Sequence, residues 1–182
     1  MNLLHAIEIR KSVRAYTQTP VEKEKTEAII RAGSLAPVFG QFHITVIENP
    51  GLLQEIGQVT LEMMKNSGDE FLEKRAASKG YNPLYGAPVM ILLSAPGGND
   101  SKGFNMANIS CAAENMIIQA SDLGLGTCFV MGPTIAFSDP SLTKKIELPQ
   151  GYIPLAGVLI GYPAESLTEN KRKLTKNITY IR

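Results

Sequence analysis

Residues 104–126, FNMANISCAAENMIIQASDLGLG, decide the fold of this chain because they predict one long central helix. Within residues 104–123 the charged side chains are Glu114 and Asp122, and Gly124 then supplies a helix stop. A helix that is apolar on nearly every side usually lies in the centre of a protein or at a subunit interface. Four amide side chains argue against a membrane span, and they are Asn105, Asn108, Asn115 and Gln119.

Shorter segments on both sides of this helix alternate between the two kinds of secondary structure. Apolar runs bounded by turn residues predict strands at residues 43–48, 87–94, 127–131 and 153–160. Helical spacing predicts helices at residues 3–10, 19–32, 52–63 and 140–147. Because no regular βαβ alternation is present, the pattern indicates a single α+β domain over residues 1–182. The polar segment 66–82 leaves two interpretations open, a helix-bearing excursion or a mobile cover.

The overall composition excludes several classes of protein. The chain has 182 residues, 44% of them hydrophobic, with 18 basic and 17 acidic side chains. These values are typical of one globular domain, and the near-zero net charge predicts no general attraction to nucleic acid or to an anionic membrane. No apolar run reaches the length of a membrane span, and the first residues lack the pattern of a signal peptide. We therefore expect a cytoplasmic protein.

Common catalytic and metal-binding motifs are missing from the sequence. Two cysteines and two histidines are too few for a zinc site of the usual kind, so we expect no metal. Both Cys111 and Cys128 fall in apolar runs, where a buried thiol is the default. No GxSxG motif is present, and the Gly124-Leu125-Gly126 stretch follows a helix instead of a strand, which disfavours a dinucleotide-binding turn.

Basic residues with regular spacing are the strongest chemical signal that remains. Arg10, Ser12 and Arg14 alternate, so in an extended segment their side chains would project to one side. Lys171 and Lys173 near the C-terminus show the same spacing. Guanidinium groups match the oxygens of a phosphate, and the two clusters together predict a phosphate site. The alternative is that each cluster is an ordinary solvated surface.

Five stretches, in this order along the chain, resemble the nitroreductase family. They are Arg10-Lys11-Ser12-Val13-Arg14, Ala36-Pro37, AAENMIIQASDLGLGTCFVMG at 112–132, LPQGY at 148–152 followed by GVLIGYPAE at 157–165, and the basic tail that begins at Lys171. The resemblance implies an α+β fold in which helices flank a mixed, mostly antiparallel sheet. It also implies an intertwined homodimer that binds FMN at its interface, with each site built from both subunits.

The same resemblance implies an activity. An enzyme of this family passes a hydride from NADH or NADPH, through N5 of FMN, to a small electron-poor acceptor such as a nitroaromatic or a quinone. Because donor and acceptor use one shallow pocket in turn, we expect ping-pong kinetics. Two alternatives stay open: a flavin-binding protein without turnover, and another reaction on this scaffold, such as flavin fragmentation or enone reduction.

The resemblance also assigns the cofactor site to particular residues, although no side-chain acid or base is expected to be indispensable. The cofactor-binding residues are Arg10, Lys11, Ser12, Arg14, Pro37, Val38, Phe39, Gly40, Gln41, Met131, Gly132, Lys171 and Lys173. The backbone N–H of Gly132 is expected near flavin N5, and the competing interpretation is a simple turn at Gly132-Pro133.

One segment departs from the family pattern. The family usually has an Asn shortly after its Ala-Pro pair, whereas residues 36–42 here read APVFGQF and contain none. Gln41 is a candidate to replace that polar group. Phe39 or Phe42 is a candidate to pack near the flavin ring, and Phe42 is slightly better explained as part of the core.

Overall fold

The computed structural model describes residues 2–98, 103–168 and 175–182. The helices are α1 (Leu3–Ile9), α2 (Lys23–Ser34), α3 (Pro50–Lys65), α4 (Glu70–Ala76), α5 (Phe104–Asp122) and α6 (Pro140–Lys145), together with a 3-10 helix at Gly132–Ser138. The strands are β1 (His43–Ile47), β2 (Val89–Pro96), β3 (Gly126–Val130) and β4 (Tyr152–Gly161). Helix α5 is the predicted central helix, and it covers most of residues 104–126.

The four strands form one antiparallel sheet in the order β1-β2-β4-β3. Ser12 adds an isolated parallel bridge to Thr127 at the β3 edge, and Tyr16 adds an antiparallel bridge to Pro163. The segment that follows α1 thus borders the sheet beside β3. The sheet is mostly antiparallel, as the resemblance implies.

Both faces of the sheet are covered, which explains why β2 is apolar without alternation. Ile91 and Leu93 of β2 face a core that includes Ile29 of α2 and Met116 of α5. Leu92 faces the opposite core, to which α3, α6 and the 3-10 helix contribute. The result is a layered α+β domain.

Helix α2 begins later than predicted. Thr19 does not cap it, because the Thr19 backbone N–H and side chain both bond to the Thr17 hydroxyl instead. Lys23 is the first helical residue, and Glu22 stands at the cap position without a side-chain capping bond. The Glu22 carboxylate accepts the Tyr162 hydroxyl at 2.7 and 2.8 Å, so its partner is a residue distant in sequence and not a backbone N–H of the helix.

Two further expectations are settled by the placement of helices. The polar segment 66–82 contains α4, so the helix-bearing interpretation is the observed one. Cys128 is buried as predicted, whereas Cys111 is exposed, because it lies on the side of α5 that faces away from the sheet.

Candidate functional site

The basic N-terminal segment is held against the edge of β3 by its backbone. Val13 donates its N–H to the Thr127 carbonyl at 2.8 Å, next to the Ser12 bridge. The Val13 side chain is buried, and a Cβ atom at Gly126 would approach it to 2.8 Å. The buried Tyr16 hydroxyl donates to the Val13 carbonyl at 3.0 Å. Position 126 therefore needs glycine so that the segment can lie this close to the strand.

Arg10 and Ser12 lie on the α5 side of this segment. They line a shallow cavity of about 260 Å³ together with residues that include Glu114, Thr127 and Phe129. Arg10 Nε lies 3.5 Å from Glu114 Oε1, and the Arg10 side chain is only 16% exposed. A carboxylate of the same chain thus offsets part of the Arg10 charge.

Arg14 has different surroundings. Its side chain is exposed at the end of the segment, and its guanidinium carbon lies 6.0 Å from the centroid of the Tyr85 ring. No carboxylate pairs with Arg14 within the described residues. Ser12 is shared between the two surroundings, since it lines the cavity with Arg10 and acts together with Arg14 on Cys128. A single bridge at Ser12, instead of a continuous strand, holds the segment.

The pKa of the buried Cys128 thiol is affected by the charged groups at the Arg14 end of the segment. Burial raises the pKa of Cys128, while Arg14, a hydrogen bond with Ser12 and then Arg75 act in the opposite direction. Two guanidinium groups, Arg14 and Arg75, therefore influence the same thiol. Of the other predicted basic residues, Lys11 is half-buried, and Lys171 and Lys173 lie outside the described residues.

The loop that follows α2 carries the second group of predicted residues. Pro37, Val38, Phe39, Gly40 and Gln41 are all exposed, and Phe39 is 75% exposed.

Asn108 of α5 holds this loop. Its side-chain oxygen accepts the Phe39 N–H at 2.9 Å, and its amide nitrogen donates to the Phe39 carbonyl at 2.5 Å. The buried Asn108 thus anchors a loop that lacks an asparagine of its own. The sequence showed Asn108 only as a polar residue on an apolar helix, and nothing in its spacing indicated this contact.

The two aromatic candidates of the loop differ in their environment. Phe42 packs against the core between the sheet and α5, which agrees with the core interpretation. Phe39 lies on the surface with its ring centroid 5.2 Å from that of Phe104. Gln41 accepts the Tyr152 hydroxyl at 3.1 Å, so its amide oxygen already has a partner in the chain.

The loop and the basic segment contact different parts of α5. The loop bonds to Asn108, near the start of the helix, and Arg10 pairs with Glu114 six positions later. Six residues correspond to about 9 Å along a helix. One chain therefore presents the two predicted parts of the cofactor site at separate places on its surface.

The third predicted group lies where β3 ends. The strand stops at Val130, Met131 is 53% exposed, and Gly132 begins the 3-10 helix. No described residue accepts the Gly132 N–H, and a Cβ atom at this position would meet nothing within 4 Å. Gly132 thus offers an accessible backbone donor just beyond the strand that carries the Ser12 bridge.

A larger cavity lies elsewhere. It has a volume of about 630 Å³ and is lined by α3, by residues 81–89 and by residues near Gln18, and it contains none of the predicted cofactor-binding residues. In the described ranges, no three His, Cys, Asp or Glu side chains are grouped to hold a metal ion. No helix of those ranges is sufficiently long and apolar to cross a membrane.

Comparison with known proteins gives a consistent result. Residues 7–162 match the Nitroreductase family. FMN reductase (NADPH) of Bacillus subtilis strain 168 is 23% identical over 194 residues, which cover 98% of this chain and 72% of that protein. A crystal structure of a nitroreductase with bound FMN from Bacteroides fragilis is 27% identical, with a TM-score of 0.86 and 100% of both chains covered.

A second solved structure supports the fold alone. It is a nitroreductase with bound FMN from Desulfitobacterium hafniense, 23% identical, with a TM-score of 0.89 over 100% of both chains. The predicted α+β fold is confirmed by these similarities. Since the family match spans most of the sequence, the chain belongs to the nitroreductase family.

Proposed function

We propose that this chain is an FMN-dependent oxidoreductase that takes a hydride from NADH or NADPH and delivers it to a small electron-poor acceptor. The acceptor class is a nitroaromatic, a quinone or a compound of similar chemistry. Two features together carry the proposal. Arg14 has no carboxylate partner in the described residues, and Gly132 has an accessible backbone N–H. Arg14 belongs to the segment that borders β3, and Gly132 follows the end of β3, in a chain whose similar structures contain FMN.

The chemistry of these residues fits FMN. Ser12 and Arg14 suit its phosphate, because a hydroxyl and a guanidinium without an internal acid favour a bound anion. Arg10 would contribute from the α5 side, where Glu114 already offsets part of its charge. Lys11, Lys171 and Lys173 complete the proposed basic set. Bound FMN supplies hydride transfer, and the chain supplies binding, orientation and electrostatics.

Gly132 is the proposed backbone donor toward N5 of the flavin. A main-chain N–H can orient the ring and stabilise developing negative charge without titrating. The absence of a Cβ also permits close approach of the ring. Gly132→Pro removes the donor, whereas Gly132→Ala retains it. A Gly132→Pro protein that folds, binds FMN and is reduced at the wild-type rate would eliminate this assignment.

The homodimer is part of the proposal because the two halves of the site do not meet within one chain. Loop residues 37–41 would come from one protomer and the Arg10–Arg14 segment from its partner. Exposed residues of α5 recur along one side of the helix, at Phe104, Ala107, Cys111 and Glu114. Leu3 and Leu4 of α1 add large apolar side chains that are 66% and 61% exposed. Such an apolar surface is typical of an interaction site.

The test is the visible spectrum of the purified protein with a parallel measurement of mass by light scattering. We expect a yellow protein whose flavin absorbance bleaches on addition of NADH or NADPH, and a mass of two chains. A bound flavin that does not bleach would favour the flavin-binding alternative. A colourless protein that cannot be loaded with FMN, or a monomer that retains FMN, would contradict the corresponding part of the proposal.

The proposed mechanism also has a kinetic signature. If donor and acceptor occupy one pocket in turn, double-reciprocal plots at several acceptor concentrations give parallel lines. Intersecting lines would show a complex that holds both substrates and would contradict the ping-pong scheme. Product analysis in the same assay distinguishes hydride transfer to the acceptor from fragmentation of the flavin.

A further inference from the structure

Arg75 of α4 is a cation whose position is set by two tyrosines. Its Nη2 atom donates to the Tyr85 hydroxyl at 2.8 Å, and its guanidinium carbon lies 4.9 Å from the centroid of the Tyr81 ring. The two rings are 6.2 Å apart in an edge-to-face arrangement. Arg75 is half-buried, so these contacts hold its planar group in place instead of leaving it free in solvent.

Tyr85 connects this cation to Arg14. One face of the Tyr85 ring lies beneath the Arg14 guanidinium, while its hydroxyl accepts from Arg75. Tyr85 also has a backbone φ of 53°, a left-handed conformation that is unfavourable for a bulky residue. Strain of this kind persists where the surrounding structure requires the residue, and it is concentrated at functional sites.

The described residues provide no carboxylate for either guanidinium. Among the acids near Arg75 in sequence, Glu70 pairs with Lys74, and the Glu73 side chain accepts the Gly68 N–H. Arg14 and Arg75 both contact Tyr85, one over its ring and the other at its hydroxyl, and both act to lower the pKa of the Cys128 thiol. Two like charges held at one side chain repel each other, and an anion between them offsets that repulsion.

We propose that Arg75 and Arg14 together bind a phosphate monoester, with Tyr85 setting the separation of the two guanidinium groups. This inference rests on the proposed function, because either FMN or NADPH would bring the phosphate monoester to the site. Arg75 thus takes the place of the second guanidinium that the Arg10–Arg14 spacing predicted, since Glu114 engages Arg10. On this proposal the polar segment 66–82 has a function, because its helix α4 positions Arg75 to bind the phosphate.

The experiment compares Arg75→Gln with Lys74→Gln, its neighbour on the exposed side of the same helix. The apoprotein is titrated with FMN and with riboflavin, and the loaded enzyme is assayed with NADPH and with NADH. If FMN supplies the phosphate, Arg75→Gln weakens FMN binding by about tenfold or more and leaves riboflavin binding unchanged. If NADPH supplies it, the KM for NADPH rises by a similar factor while the KM for NADH and the affinity for FMN are unchanged. Lys74→Gln leaves all four values at the wild-type level.

A third arm uses inorganic phosphate and needs no flavin. We expect phosphate to raise the melting temperature of the wild-type apoprotein and to raise that of Arg75→Gln much less. Tyr85→Phe retains the ring but removes the acceptor of Arg75, so it should give an intermediate loss. Equal weakening of FMN and riboflavin, or identical behaviour of Arg75→Gln and wild type in every arm, would overturn the inference. Failure of wild type to bind any flavin would refute the proposed function, and the phosphate arm would still decide the role of Arg75.

Discussion

The two ends of the Arg10–Arg14 segment meet opposite electrostatic conditions. At one end Arg10 is largely buried beside the Glu114 carboxylate, and at the other Arg14 is exposed over a tyrosine ring. Tyr85 connects the Arg14 end to Arg75, and the described residues provide no carboxylate partner for either cation. The difference shows that equal spacing of two arginines does not give them equal roles. A neighbouring carboxylate offsets the charge of Arg10, whereas Arg14 has no such neighbour and its charge is available to a ligand.

The comparison is tested most strongly by removing each arginine in turn. Arg14→Ala should weaken FMN binding by about 1.5–3 kcal/mol, the range for hydrogen bonds to a charged group. This corresponds to a loss of affinity of about 10-fold to 150-fold. Arg10→Ala should cost less, because Glu114 already offsets the Arg10 charge. Fluorescence titration of each apoprotein measures both values, with riboflavin as the control ligand. A larger loss for Arg10→Ala would reverse the comparison.

Two glycines, one in β3 and one just beyond its end, test how the segment is held. Gly126→Ala would bring a Cβ to within 2.8 Å of the buried Val13 side chain, so it should destabilise the apoprotein by about 1–3 kcal/mol. Gly132→Ala has open space around the new methyl group and should change stability by no more than about 0.5 kcal/mol. Urea unfolding of the two variants without cofactor measures this difference. Equal stabilities would mean that the segment does not depend on close contact with β3.

The smallest loss of stability is expected at the loop of residues 36–42, which is held by the Asn108 side chain and not by a strand. Asn108→Ala removes both bonds to Phe39 and should cost about 1 kcal/mol of local stability. Hydrogen exchange should increase within residues 36–42 and remain unchanged in β3. Asn115→Ala is the matched control, because Asn115 of the same helix bonds to Ala32 of α2 instead. An increase of the same size in both variants would indicate general loosening of α5.

Local patterns predicted the elements of the fold well. The α5 helix and all four strands were recognisable because each depends on the order of apolar residues along its own segment. The start of α2 was predicted too early, since the capping residue Glu22 is engaged by Tyr162, 140 positions later. Cys111 was predicted to be buried, but its position on the outer side of α5 exposes it.

The site was predictable only in part, for a related reason. Spacing and resemblance identified Arg14, the loop and Gly132 as candidates, because their motifs are contiguous. The roles of Glu114, Asn108 and Tyr85 depend on contacts between segments far apart in sequence. Such contacts leave no periodic signal, so a single sequence does not reveal them.

The anchoring of the loop has a consequence for how freely its side chains can be replaced. Asn108 bonds only to the main-chain N–H and carbonyl of Phe39, so it holds the path of the loop without selecting its side chains. Any residue other than proline at position 39 keeps both bonds. Substitutions at residues 38–41 can therefore change the surface that this loop exposes while its path stays in place. The position of the loop depends on one buried asparagine of α5, and the chemistry of its surface does not.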